Sequence, residues 1–191
     1  MEKTTGIKIE DEIEDIRSSM LLMGGMAVEM IKYSLDGLLK GAKPSIQKTF
    51  ELEEKVNLAE VEVDAMCNKF LVLRAPAAYD LRFILCTLRM IRDIERIGDE
   101  AEKMARMAQY FHEEIQSDVP KPNLALMVTD VVTMLEKVLN AYARDDDSEL
   151  KKVINFDEVV DEKFRKTLDD LMSFILEKKE SVGCCIDLIF F

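Results

Sequence analysis

Along nearly the whole chain, apolar residues recur at three- and four-residue steps, and very little interrupts them. Ile13, Ile16, Met20, Met23, Ala27, Met30, Ile31, Leu35, Leu38 and Leu39 trace one such stripe. Ile46, Phe50, Leu52, Val56, Ala59, Val63, Met66 and Phe70 trace a second. This spacing places apolar side chains on one face of a helix. With only 7 glycines and 4 prolines in 191 residues, the chain lacks the turn residues that an all-β fold needs at short intervals. The breaks are few: Gly41 and Pro44, then Arg74-Ala75-Pro76, then Pro120 and Pro122, then Gly183. They predict helices over about 10–39, 45–73, 77–111, 124–143 and 148–176, and a short apolar run at the end. Ser45 reads as an N-cap and Pro76 as a first-turn proline. Long helices with short connections predict an antiparallel helical bundle.

The segment 30–72 matches 134–176 without gaps at an offset of 104 residues: Met30 with Met134, Leu35 with Leu139, Val56 with Val160, Phe70 with Phe174. The chain therefore reads as two repeats of three helices, 9–116 and 123–191, the second lacking most of its last helix. Gly24 and Gly25 inside the first helix cost roughly 1 kcal/mol each relative to alanine, and a close-packed neighbouring helix is the simplest reason for them.

Charge excludes several functions. Asp and Glu total 38 against 26 Lys and Arg, a net charge of −12, so nucleic acid and anionic membrane surfaces would be repelled. No stretch of 18 apolar residues exists, and the acidic start is no signal peptide. The four cysteines have no ligand spacing and apolar neighbours, as reduced cytoplasmic thiols do. There is no nucleotide-binding glycine loop, and the single histidine, His112, reads as a surface residue at a helix end. Nothing requires catalysis.

The chemistry is concentrated in Asp93-Ile94-Glu95-Arg96-Ile97-Gly98-Asp99. Glu95 and Asp99 are four apart and share a helix face, with Glu102 next along it. Like charges at this spacing destabilise a helix unless neutralised. Arg92, Arg96 and Arg106 could form a salt-bridge lattice with them, or a hard cation could sit among their oxygens. Gly98 marks a close approach. Asp157 and Asp161 form a second pair, equivalent to Glu53 and Asn57 at the 104 offset. A solvated acidic face is the plainest reading of any one pair.

The Asp93–Asp99 motif resembles the PhoU family of phosphate-transport accessory and regulatory proteins. The double glycine in Arg17–Met26, Ala75-Pro76-Ala77-Ala78-Tyr79-Asp80-Leu81-Arg82, and Asp157-Glu158-Val159-Val160-Asp161 carry the same resemblance. It implies an all-α fold of two pseudo-symmetric three-helix bundles. It also implies metal sites for iron, manganese or zinc: Glu53, Glu95 and Asp99, with Asp80 nearby, in the first bundle, and Asp157 and Asp161 in the second. Asn57 replaces an acid often found there. The implied role is a cytoplasmic negative regulator of phosphate uptake and starvation signalling. Such a protein is an adaptor between the cytoplasmic parts of a phosphate ABC transporter and a sensor histidine kinase. It would be a homodimer, peripheral to the membrane through protein partners only. The alternatives are a metal-independent helical adaptor and, less suited with one histidine, a carboxylate-bridged metalloenzyme. The family's second such motif would fall past Phe191, so the chain is expected to be a fragment with a truncated second bundle that self-associates through its open seam.

Overall fold

The computed structural model describes residues 2–114, 124–179 and 182–189. Among them every regular element is a helix: α1 Glu2–Lys40, α2 Lys43–Arg74, α3 Ala78–Glu114, α4 Leu124–Arg144, α5 Leu150–Glu177 and α6 Val182–Ile189. None is long and apolar enough to cross a membrane. Pro120 and Pro122 lie outside the described residues.

Helices α1, α2 and α3 pack on one another as a closed bundle. Met20, Met23 and Met30 of α1, Val56 and Val63 of α2, and Ile84 and Ile91 of α3 are fully buried at its centre. The methionines are thus core filler. Cys67 lies in the same core, where burial pushes its thiol up to about 12 and keeps it protonated. Gly98 faces inward, where an added Cβ would come within 3.3 Å of Val56 and 3.6 Å of Met30. The close approach signalled by this glycine is therefore made by neighbouring core side chains.

The second unit joins the first through α4, which lies antiparallel on α1. A Cβ on Gly24 would collide with Leu139 at 2.4 Å, whereas nothing lies within 4 Å of one on Gly25. One of the two glycines therefore serves the helix contact. Arg17 is clamped at the same joint. Its guanidinium donates to the Tyr142 carbonyl at 2.6 Å and lies 4.6 Å from the Phe83 ring centre and 5.5 Å from that of Tyr142. Lys32 donates to Glu136 at 2.9 Å, and these two residues are themselves 104 apart. Equivalent positions of the repeats thus meet each other, as a pseudo-twofold axis between α1 and α4 requires.

Two local expectations fail. Ser45 is not the N-cap of α2: the helix starts two residues earlier, Pro44 occupies its first turn, and the Ser45 hydroxyl donates to Asp36 at 2.6 Å. Pro76 lies before α3 instead of within its first turn, because Ala75 ends α2 in the left-handed region (φ 44°) and its N–H caps Leu71.

Candidate functional site

The helical repeat carries Glu53 and Glu60 of α2 and Glu95, Asp99 and Glu102 of α3 to the seam between these two helices, where all five are half-buried. Burial pushes the Glu95 carboxyl above its ordinary value, and the negative charges of Asp99, Glu60 and Glu53 add to it, against Arg96. Glu53 accepts from the Asn57 amide, so the residue that replaces an acid here acts as a donor to its neighbour.

Of the arginine lattice considered above with Glu95, Asp99 and Glu102, only the Arg106–Glu102 pair forms among the described residues. Arg106 is held by Glu102 through Nε at 2.9 Å, and its guanidinium lies 5.1 Å from the Phe50 ring centre. Arg96 reaches only Asp93, at 3.9 Å, with both side chains largely in solvent. Among the described residues no cationic side chain forms an ion pair with Glu53, Glu95 or Asp99. Within the stripe, Glu102 is thus paired with Arg106, while Glu53, Glu95 and Asp99 have no ion-pair partner among the described residues. No three Asp, Glu, His or Cys side chains among the described residues converge closely enough to hold an ion as they stand. The donor chemistry nevertheless fits a hard cation, because every group is a carboxylate or an amide oxygen.

The remaining expected residues lie apart. Asp80 sits in the first turn of α3, fifteen residues before Glu95 and so about 22 Å away along the axis. It is not a neighbour of the carboxylate stripe. Asp157 and Asp161 are both exposed on α5, and Asp161 lies 3.7 Å from Arg165. They are thus more exposed than the half-buried acids of the α2–α3 stripe. Glu60 was missed by sequence reasoning. It lies seven residues after Glu53, two turns along the same face, and that spacing was the available signal. His112 is exposed, and its Nε2 lies 2.8 Å from the Leu38 carbonyl at the C-terminal end of α1, a structural role at a helix end.

The PhoU domain family model matches the chain twice, over residues 20–108 and 124–190. A phosphate-specific transport system accessory protein PhoU homolog of Pseudomonas aeruginosa is 31% identical over 178 residues, covering 93% of this chain and 74% of that protein. The accessory protein PhoU of Escherichia coli K12 is 28% identical over 180 residues, covering 94% and 74%. The crystal structure of PhoU from P. aeruginosa superposes with a TM-score of 0.90 at 30% identity, over 95% of this chain and 87% of that one. The phosphate transport system regulatory protein PhoU from Streptococcus pneumoniae, with a TM-score of 0.84 at 20% identity, shares the fold. The chain belongs to the PhoU family.

Proposed function

We propose that this protein is an accessory regulator of phosphate transport. It would act in the cytoplasm between a phosphate ABC transporter and a sensor histidine kinase, restraining uptake and starvation signalling when phosphate is plentiful. The observation that carries this reading is the likeness along 95% of the chain to a PhoU structure, at a TM-score of 0.90 and 30% identity. The net charge of −12 favours basic protein surfaces as partners over nucleic acid. The test is complementation of a strain lacking its own PhoU, read as phosphatase expression in high phosphate. Repression is expected; unaltered derepressed expression would contradict the role.

The carboxylate stripe supports a metal-binding part of this reading. Glu95 and Asp99 on α3 and Glu53 on α2 would hold a divalent or trivalent cation, with Glu60 supplying outer charge. All-oxygen donors favour manganese or iron over zinc, which prefers nitrogen and sulfur. Such an ion would neutralise the repulsion among these acids and tie α2 to α3. Asp157 and Asp161 would hold an ion weakly, being exposed. A ligand that binds only the folded state raises its melting temperature. Manganese or iron(II), measured against a chelator, should therefore raise it in the wild type and not in Glu95→Ala/Asp99→Ala. Equal shifts in both proteins would remove this stripe as the site and leave a metal-independent adaptor.

A further inference from the structure

Helix α3 divides its charge by face. Its inner face packs through Ile84, Thr87, Ile91 and Ile94, and the side turned to α2 carries Glu95, Asp99 and Glu102. The side turned to solvent carries Arg82, Arg89, Arg96 and Lys103 at seven-residue steps, all exposed. Seven residues fall about 20° short of two turns, so these four stand in a near-straight column about 32 Å long, with its cations about 10.5 Å apart. Arg92 stands beside it. From Leu81 to Arg92 the chain holds three arginines and no acid, although the whole carries a net charge of −12.

Cations elsewhere on the helices have local partners: Arg106 pairs with Glu102, Lys152 with Glu149 and Arg165 with Asp161. At the far end of the column Lys103 pairs with Glu100 at 2.8 Å, and Arg96 only approaches Asp93, at 3.9 Å. Arg82, Arg89 and Arg92 form no ion pair among the described residues. Arg82 has no acid three or four residues away on either side. Leu81 and Leu85 share this end of the helix, 37% and 45% exposed among the arginines. A scattered exposed leucine needs no explanation. Two of them framed by unpaired guanidiniums make a mixed apolar and basic face.

The surroundings decide what fits this face. The column is a single residue wide. Glu95 and Asp99 lie along one flank, and Asp93 and Glu100 along the other. A broad anionic surface, such as a membrane or duplex nucleic acid, would meet these acids as well as the arginines. A narrow row of carboxylates would not. An α-helix with acids at seven-residue steps presents such a row at the same spacing, and the guanidinium fork matches a carboxylate. Apolar side chains next to those acids would cover Leu81 and Leu85. We infer that the solvent face of α3 is a docking surface for an acidic amphipathic helix of a partner protein, held by Arg82, Arg89 and Arg92 around Leu81 and Leu85. This face is the exception to the chain's preference for basic partners, and it does not depend on the proposed transport role. The contact is small, so the complex is weak and salt-sensitive.

The probe is a synthetic helical peptide of about 25 residues, long enough to span the column, with glutamate at every seventh position and leucines beside them. Fluorescence anisotropy at about 0.05 M salt should give a Kd on the order of 10–100 μM, weakening at about 0.15 M. Arg82→Glu/Arg89→Glu should bind at least about tenfold more weakly while keeping its helical circular dichroism. Lys151→Glu/Lys166→Glu, the same change of net charge at exposed positions of α5, should bind as the wild type does. A peptide with two adjoining glutamates replaced by arginine should recover binding to the Arg82→Glu/Arg89→Glu protein and lose it to the wild type. A wild type that binds no peptide overturns the inference. So does an equal loss in the α5 variant, a peptide with glutamine for every glutamate that binds as well, or a swapped peptide without recovery. Sodium polyphosphate that binds this column where the peptide does not makes the occupant an anionic polymer and overturns it as well.

Discussion

Helices α2 and α5 hold equivalent places in the two repeats, yet they are buried to different extents. Val56 and Phe70 are 1% and 3% exposed in α2, while their equivalents Val160 and Phe174 are only half-buried in α5. Leu52 is buried and its equivalent Phe156 is half-buried. The residue types are alike, so the difference lies in the third neighbour. Helix α3 has 37 residues to set beside the 32 of α2, whereas α6 offers 8 among the described residues. Burial of α5 recovers near its C-terminal end, where Leu171 and Thr167 are buried as their equivalents Cys67 and Val63 are, and Leu171 shares a core cluster with Cys185 of α6. An amphipathic stripe states what a helix is able to bury. The partner beside it decides how much is buried.

The sharpest way to break this comparison is one deletion made twice. Phe70→Ala should cost about 3–5 kcal/mol of unfolding free energy, and Phe174→Ala less than half of that, because the latter removes contacts from a side chain already partly in water. Urea unfolding of the two variants measures both, and equal losses would show the second unit to be packed as tightly as the first.

The double glycine gives a second test, at the joint between the units. Gly24→Ala drives a methyl against Leu139, and the overpacking outweighs the gain in helix propensity, for a net loss of about 1–2 kcal/mol. Gly25→Ala meets nothing and should gain about 0.5–1 kcal/mol. Opposite signs for adjacent, chemically identical substitutions would place the α1–α4 contact at Gly24. A stabilising Gly24→Ala would remove it.

The smallest effect concerns the carboxylate stripe between α2 and α3. Folding raises the Glu95 carboxyl above its unfolded value, so the folded state binds the proton more tightly. Its relative stabilisation is present below the unfolded value and is lost as pH rises through the raised folded value. Glu95→Gln should therefore stabilise the metal-free protein near pH 7, by about a few tenths of a kcal/mol after solvent screening. It should change little near pH 4. Thermal melts across that range check the sign; destabilisation at pH 7 would mean that the charge on Glu95 is compensated.

The helices, their order and the repeat were legible because a 3.6-residue apolar period needs no tertiary information. Residues 2–9 joined α1 without that signal, since only Ile7 and Ile9 are large apolar residues there. The caps were less legible. The Ser45 hydroxyl was claimed by Asp36 from the preceding helix, and no local rule reports such a partner. Within the site, Glu95 and Asp99 were readable as one face from their spacing, and Glu53 from the repeat. Asp80 came from motif resemblance alone, and helix length separates it from the others. The contrast between the paired positions of the two units was not readable, because Asp157 and Asp161 have the right spacing and differ in being exposed where Glu53 is half-buried.

The central claim is that the first three helices form the stable closed unit while α5 is held from fewer sides. Native-state hydrogen exchange, resolved by residue, tests it directly. Amides around Val56 and Val63 of α2 and Ile84 and Ile91 of α3 should exchange slowest, at the rate of global unfolding. Those around Phe156 and Val160 of α5 should exchange at least about tenfold faster, through an opening that leaves α1–α3 intact. Equal protection in α2 and α5 would contradict the account.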